Sequence, residues 1–173
     1  MVACFCVLSH SRQLSGFGPD AGKHLACHPD VDKIAFTGST RVGHLIEEYA
    51  ATSNMKQVSL ELGGKSPIIV CDDADLDTAV SVAHVGLFLN QGQCCCAGSR
   101  VFVQEGIYDK FVAAAVKKAT AIKMGAYTEK NVEQGPQVDD IQFRSVLGYI
   151  EKGKDEGATV ATGGGRHGTK GYF

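Results

Sequence analysis

The chain has 173 residues, of which 44% are hydrophobic and 21% charged, and its formal net charge at pH 7 is −2. This composition is typical of a soluble globular protein, long enough to bury the core of one domain or parts of two. The charge excludes a general attraction to nucleic acid or an anionic membrane surface, and no apolar run reaches the about 20 residues of a membrane helix. Seven cysteines without the spacing of a disulfide framework favour a reducing compartment.

The first 15 residues are expected to form a segment of their own. Residues 2–8 have the apolar composition of a buried strand, whereas the polar residues that follow show no period. The start lacks the basic region and cleavage site of a signal peptide and has no convincing transit peptide, so neither is expected. Residues 16–19 indicate a turn, and residues 20–27 predict a short helix.

The next segment predicts half of a βαβ unit. Residues 33–38 read as a strand that closes on a glycine, and the sequence then changes to a helical period. Ser39 or Thr40 is expected to cap this helix, which runs to residue 51. Its apolar stripe consists of Val42, Leu45, Ile46 and Tyr49. A second strand, residues 57–62, ends at a Gly-Gly pair.

The rest of the chain continues to alternate strands and helices. This alternation predicts an α/β fold with a largely parallel sheet. The predicted strands are residues 66–71, buried on both faces, together with residues 100–104 and 159–161. The predicted helices are residues 72–90, 108–123 and 141–153, and the inward residues of the second are Phe111, Val112, Ala115, Val116 and Ala119.

Three adjacent cysteines, Cys94, Cys95 and Cys96, follow the polar turn Asn90-Gln91-Gly92-Gln93. A cysteine nucleophile needs exposure, a route to the thiolate and a donor for the oxyanion, and such a turn leaves backbone N–H groups available. The alternative is that the cysteines are small buried hydrophobes. No metal site is predicted, because adjacent cysteines are not expected to reach one tetrahedral ion and no Cys-x-x-Cys or histidine pair complements them.

Two upstream features have both a chemical and a structural interpretation. Glu61 lies between Leu60 and Leu62, so it is expected to be partly desolvated, as suits a general base; the alternative is a surface glutamate at a strand end. Gly38 and Ser39 lie where a strand meets a helix N-terminus. Such a turn can bind an anion through its N–H groups, although most such turns only cap a helix.

These motifs resemble those of the NAD(P)-dependent aldehyde dehydrogenase superfamily. Residues 36–40 (Phe-Thr-Gly-Ser-Thr), 60–67 (Leu-Glu-Leu-Gly-Gly-Lys-Ser-Pro) and 92–95 (Gly-Gln-Cys-Cys) look like its three signatures, in its order and with a similar gap between glutamate and cysteine. The cysteines with the Ala-Gly-Ser-Arg after them, and residues 133–139, resemble the class 1/2 branch, above all its mitochondrial members. The resemblance covers about residues 16–173.

The resemblance implies a fragment of that α/β fold, built of parallel-sheet βα units. Residues 1–15 would be a non-matching segment, residues 16–62 a remnant of the NAD-binding domain and residues 63–173 the first part of the catalytic thiol domain. Cys95 would be the nucleophile that forms a thiohemiacetal and then a thioester, and Glu61 would activate the water that hydrolyses the thioester. The residues implied to contact NAD are Gly18, Gly22, Gly38, Ser39, Val42, Leu62, Gly63 and Gln142.

The implied reaction is oxidation of an aldehyde to a carboxylic acid, in the mitochondrial matrix or the cytoplasm. The family forms homotetramers or homodimers, but the resemblance covers only the middle third of such an enzyme. It lacks the oligomerisation strands, the contacts to the adenine ribose and the asparagine that completes the oxyanion site. The alternative hypothesis is therefore a catalytically inactive fragment that acts at most as a binding or interaction module.

Overall fold

The structure is a computed structural model that describes residues 2–7 and 10–173, with side chains from residue 13 onward. The chain divides into two compact units, Met1–Gly64 and Lys65–Phe173. Across the described residues, every helix is too short or too polar to cross a lipid bilayer. Helices and parallel strand pairs confirm the predicted α/β class.

The first unit begins with an antiparallel strand pair. Strand β1 (Val2–Val7) pairs with β2 (His10–Ser15), so the predicted strand forms and the polar residues after it form a second one. The predicted burial of residues 2–8 concerns side chains outside the described residues. A π-helical turn (Gly18–Gly22) and helix α1 (Lys23–Cys27) then occupy the region predicted to be a turn and a short helix.

A parallel βαβ unit forms the rest of this first unit. Strand β3 (Lys33–Gly38), helix α2 (Thr40–Thr52) and strand β4 (Gln57–Leu62) follow one another, and β3 and β4 pair in parallel along their whole length. The helix provides the crossover that a parallel pair needs. Val42, Ile46 and Tyr49 of α2 pack on the half-buried face of the strands, whereas Leu45, predicted to share their stripe, is 40% exposed. The core contains Ala26, Phe36, Ile46, Val58 and Leu60.

The second unit also contains a parallel βαβ unit, and two further helices follow it. Its elements are β5 (Pro67–Val70), α3 (Leu76–Phe88), β6 (Arg100–Val103), α4 (Glu105–Thr120) and α5 (Asp140–Asp155). All five were predicted, with bounds that differ by a few residues. Strands β5 and β6 pair in parallel, and α3 and α4 pack on one of their faces. The core of this unit is Val70, Val80, Ala83, Ile107 and Phe111.

Two strand predictions are wrong. Strand β5 is buried on one face only, because Ile69 is 75% exposed and its register partner Phe102 is 53% exposed. Residues 159–161 are not a strand, and no described strand pairs with them. A strand depends on hydrogen bonds to a neighbour, so apolar composition alone does not form one.

The two phenylalanines of the second unit provide a matched test of where its core lies. Phe111 is 5% exposed, so Phe111→Ala is expected to lower the free energy of unfolding by about 3–5 kcal/mol. Phe102→Ala removes the same ring from the surface and is expected to cost about 0.5 kcal/mol. Chemical denaturation followed by circular dichroism measures both values. Equal losses would contradict this assignment of the core.

Candidate functional site

The three cysteines are presented by a turn of unusual backbone conformation. Helix α3 ends at Phe88, and the single turn Leu89–Gly92 that follows contains three consecutive left-handed residues. Their φ values are 51° at Asn90, 60° at Gln91 and 73° at Gly92. Glycine and asparagine adopt this conformation at little cost, whereas glutamine does so only where its surroundings stabilise it.

Side-chain hydrogen bonds provide that stabilisation. The Gln91 Nε2 donates to the carbonyl oxygens of Gly135 and Pro136, both at 2.8 Å, and the Asn90 Nδ2 donates to the Gln93 carbonyl at 3.0 Å. The turn is therefore stabilised by a hydrogen bond within the cysteine segment and by two hydrogen bonds to residues more than forty positions further along the chain.

The chain beyond the cysteines is anchored through a buried pair, Ala97 and Gly98. The N–H of Ala97 donates to the Cys94 carbonyl at 3.1 Å, and the N–H of Gly98 donates to the carbonyl of Gly86 in α3 at 2.9 Å. A side chain at Gly98 would overlap the Ile68 side chain of β5, so a larger residue here would have to displace Ile68. The cysteine loop, residues 89–98, is thus held by hydrogen bonds at both of its ends.

The three thiols lie together at the surface. Their sulfur atoms are all within 4.8 Å of one another, and the Cys94 and Cys96 sulfurs are 3.6 Å apart. All three residues are exposed, so the interpretation of them as buried hydrophobes is wrong. The expectation that adjacent cysteines cannot converge does not hold for this loop either, because its turn brings the sulfurs together.

Hydrogen bonding separates the acidities of two of the thiols. The backbone N–H of Cys96, followed by its thiol, lowers the pKa of Cys94, because both stabilise the Cys94 thiolate. The pKa of Cys96 is raised, first by its thiol hydrogen bond to Cys94 and then by the charge of the Cys94 thiolate. Cys94 is therefore ionised before Cys96 as the pH rises.

The backbone of Cys95 offers a donor beside its thiol. Within the described part of its unit, the Cys95 N–H has no hydrogen-bond acceptor. A shallow groove of about 130 Å³ lies nearby on the C-terminal half of α3, and its lining includes His84, Phe88 and Leu89 but not Cys95. The thiol thus faces solvent from the loop and does not line this groove.

Glu61 lies in the first unit, near the end of β4, and its surroundings differ from the expectation. The strand alternates, so Val58, Leu60 and Leu62 are half-buried while Glu61 is exposed. The predicted partial desolvation of Glu61 is therefore wrong in this structure. Gly63 follows the strand with open space where a side chain would stand, so the backbone here is accessible to a ligand.

The other predicted cofactor residues of the first unit lie on two turns. Gly18 and Gly22 bound the π-helical turn. Ser39 is the N-cap of α2: its Oγ accepts a hydrogen bond from the Val42 N–H at 3.4 Å, and Gly38 ends β3 just before it. Because the first N–H groups of a helix have no partner inside it, this turn offers donors to an anion.

Gln142 lies in the second unit, in the first turn of α5. Its backbone N–H donates to the Asp139 Oδ1 at 2.8 Å, and Asp139 is the N-cap of the helix. Its side chain is half-buried.

Sequence reasoning missed two features of the site. The first is the anchor from Gln91 to the Gly135 and Pro136 carbonyls, because a hydrogen bond between distant segments has no local pattern. The second is the convergence of the sulfurs, which the left-handed turn produces. The Asn-Gln-Gly sequence was a partial signal for that turn, since asparagine and glycine favour the left-handed conformation.

Comparison with known proteins assigns the chain to a family. The profile of the Aldehyde dehydrogenase family matches residues 11–173. The chain belongs to the aldehyde dehydrogenase family. The matched range begins at residue 11, whereas the motif resemblance begins at residue 16.

Similar proteins are known at the level of both sequence and structure. The chain is 58% identical over 158 residues to "Aldehyde dehydrogenase, mitochondrial" of Mesocricetus auratus, a match that covers 91% of this chain and 32% of that protein. It is 59% identical over 160 residues to an aldehyde dehydrogenase of Emericella nidulans. That match covers 92% of this chain and 32% of the relative. The NAD⁺ complex of the Bacillus cereus aldehyde dehydrogenase has a TM-score of 0.88 at 53% identity, over 91% of this chain and 32% of that one. The chain thus spans about a third of the length of the curated relatives it matches.

The order of thiol acidity predicts an order of alkylation. At neutral pH, iodoacetamide is expected to modify Cys94 faster than Cys96, because the thiolate is the reactive form and the pKa of Cys94 is the lower one. The weaker nucleophilicity of a more acidic thiolate offsets only part of this difference. The two rates are expected to converge as the pH is raised above both pKa values.

The measurement is mass spectrometry of the cleaved chain at less than one modification per molecule, with the exposed Cys71 as the internal reference. Faster modification of Cys96 than of Cys94 at every pH would contradict the hydrogen-bonding pattern.

Proposed function

We propose that this chain carries the nucleophile and the general base of an NAD-dependent aldehyde oxidation, with Cys95 as the nucleophile and Glu61 as the base. The observation that supports this most directly is the exposed Cys95 thiol on a loop anchored at both ends, beside a backbone N–H with no acceptor in its unit. Membership of the aldehyde dehydrogenase family supplies the reaction class.

The first half of the proposed reaction takes place at the Cys95 thiol. The Cys95 thiolate adds to the carbonyl carbon of an aldehyde, and the N–H of Cys95 donates to the oxyanion that forms. Such a donor is worth most where charge develops during the reaction. Loss of hydride from the resulting thiohemiacetal carbon leaves a thioester on Cys95.

NAD, when bound, supplies the acceptor for that hydride. The first unit has features that fit such a cofactor: the Gly38-Ser39 turn offers the N–H groups of α2 to a phosphate, and the open backbone at Gly63 allows close approach. The proposed contacts also include Gly18, Gly22, Val42, Leu62 and Gln142. The NAD⁺ complex of the Bacillus cereus relative supports the same choice of cofactor.

The second half of the reaction is hydrolysis of the thioester. The exposed Glu61 carboxylate takes a proton from a water molecule, the water oxygen attacks the thioester carbon, and the carboxylic acid leaves as the Cys95 thiolate is restored. Glu61 is proposed as the base because it lies in the Leu-Glu-Leu-Gly-Gly motif, two residues before the accessible backbone at Gly63.

The substrate and the compartment are proposed from the relatives. The names of the relatives support an aldehyde as the substrate. The relative from Mesocricetus auratus is named as mitochondrial, and this supports a mitochondrial location for the present chain.

An activated ester tests the nucleophile without hydride transfer. With p-nitrophenyl acetate, the chain is expected to release p-nitrophenolate and carry an acetyl group on Cys95, which mass spectrometry locates. Cys95→Ser is expected to lower this acetylation at least about a hundredfold, because the nucleophile itself is removed. Cys94→Ser is the matched control and is expected to retain acetylation. Acetylation that follows Cys94 and not Cys95 would overturn the assignment.

The lifetime of the same acetyl group tests the base. Glu61→Gln is expected to slow its hydrolysis about a hundredfold or more, since a general base typically contributes that much. Glu47→Gln changes another exposed glutamate of the first unit and is expected to leave the lifetime unchanged. Equal lifetimes for both variants would remove Glu61 from the mechanism.

A second candidate function is a binding module without turnover. It is favoured by the exposed apolar sheet face at Ile69 and Phe102. Incubation with acetaldehyde and NAD⁺ distinguishes the catalytic function from the binding module. A catalytic chain produces NADH, the Cys95→Ser variant does not, and the Cys94→Ser variant still does. Acetylation of Cys95 without any NADH would support the binding module for this chain.

A further inference from the structure

We propose that Cys94, Cys95 and Cys96 form a three-thiolate site for a zinc-group ion such as Zn²⁺ or Cd²⁺. The three sulfur atoms lie within 4.8 Å of one another, and all three residues are exposed on one loop. The proposal concerns metal–sulfur bonds and does not depend on the aldehyde chemistry proposed for Cys95.

The spacing of the sulfurs fits three bonds to one ion. Zinc–sulfur bonds are about 2.3 Å long, so three sulfurs around a central ion stand about 4 Å apart. The observed separations run from 3.6 Å between Cys94 and Cys96 to no more than 4.8 Å. Small side-chain rotations therefore bring the three sulfurs to bonding positions.

The loop holds these positions before any ion binds. The Gln91 amide fixes the left-handed turn on one side, and Ala97 and Gly98 are buried and hydrogen-bonded on the other. A backbone held in this way has little conformational freedom left to lose on binding, which favours affinity. Exposure of the sulfurs gives the ion an open path and leaves a fourth position for water.

The ligand chemistry selects the class of ion. Thiolates are soft ligands that prefer Zn²⁺ and its heavier congeners to Mg²⁺ or Ca²⁺, which take oxygen ligands. Each thiol releases its proton as its sulfur bonds the ion, so binding is expected to strengthen as the pH rises.

Cadmium titration of the reduced 173-residue chain tests the site, because sulfur-to-cadmium charge transfer absorbs in the ultraviolet in proportion to the thiolates bound. One ion per chain is expected, with the absorbance of three thiolates. Each single substitution of Cys94, Cys95 or Cys96 by serine is expected to weaken binding about tenfold or more and to remove one thiolate's share of the absorbance.

The matched control removes every other cysteine of the chain, by serine substitution of Cys4, Cys6, Cys27 and Cys71 together. It is expected to bind Cd²⁺ as the unchanged chain does. Loss of binding in this control, or retention of full affinity and absorbance in Cys95→Ser or Cys96→Ser, would overturn the proposal.

A second measurement uses no substitution and so does not depend on the folding of any variant. Zn²⁺ is expected to protect all three cysteines from N-ethylmaleimide, while the exposed Cys71 continues to react and a chelator restores the reactivity of the three. Protection of only one or two of them would overturn the three-thiolate site. Both readouts report metal–sulfur bonds, so failure here leaves the acetylation experiment unaffected.

Discussion

The geometry of the cysteine loop depends on one side-chain amide. Three consecutive residues, Asn90 to Gly92, have left-handed backbones, and a non-glycine residue there typically costs about 1–3 kcal/mol. The two hydrogen bonds that Gln91 donates to Gly135 and Pro136 contribute about 0.5–1.5 kcal/mol each, which is enough to offset this cost at one residue. The direction in which the thiols point is therefore set by a segment that lies far away in sequence.

The elements that sequence reasoning predicted well are those whose signals are local. The helix after β3 was predicted from its apolar stripe and from Ser39, which the structure confirms as its N-cap. Asp75 and Asp139 cap α3 and α5 in the same way, each accepting a hydrogen bond from the N–H three residues later. Such signals involve residues within one helical turn, so they do not depend on contacts with the rest of the chain.

The errors arose where the structure depends on neighbours. Residues 159–161 have a strand composition but no paired strand in the described chain, and Ile69 of β5 is exposed because α3 and α4 cover only one face of its sheet. The error about the environment of Glu61 has another cause, because the exposure of Glu61 could have been predicted from the sequence alone. The two-residue period of β4 puts Glu61 on the face opposite Leu60 and Leu62, so apolar neighbours in sequence were a reason to expect exposure.

The close spacing of the sulfurs constrains any chemistry at this loop. Three thiolates within 4.8 Å repel one another, and this repulsion contributes to the raised pKa of Cys96. Without a cation, the loop therefore favours the Cys94 thiolate over the Cys96 thiolate, with the Cys96 thiol as a hydrogen-bond donor. A divalent cation removes the repulsion and bonds all three, which takes the Cys95 thiolate away from any carbonyl carbon. Metal binding and acyl transfer at this loop thus exclude each other, and the exclusion follows from the sulfur positions whichever aldehyde or ester is the substrate.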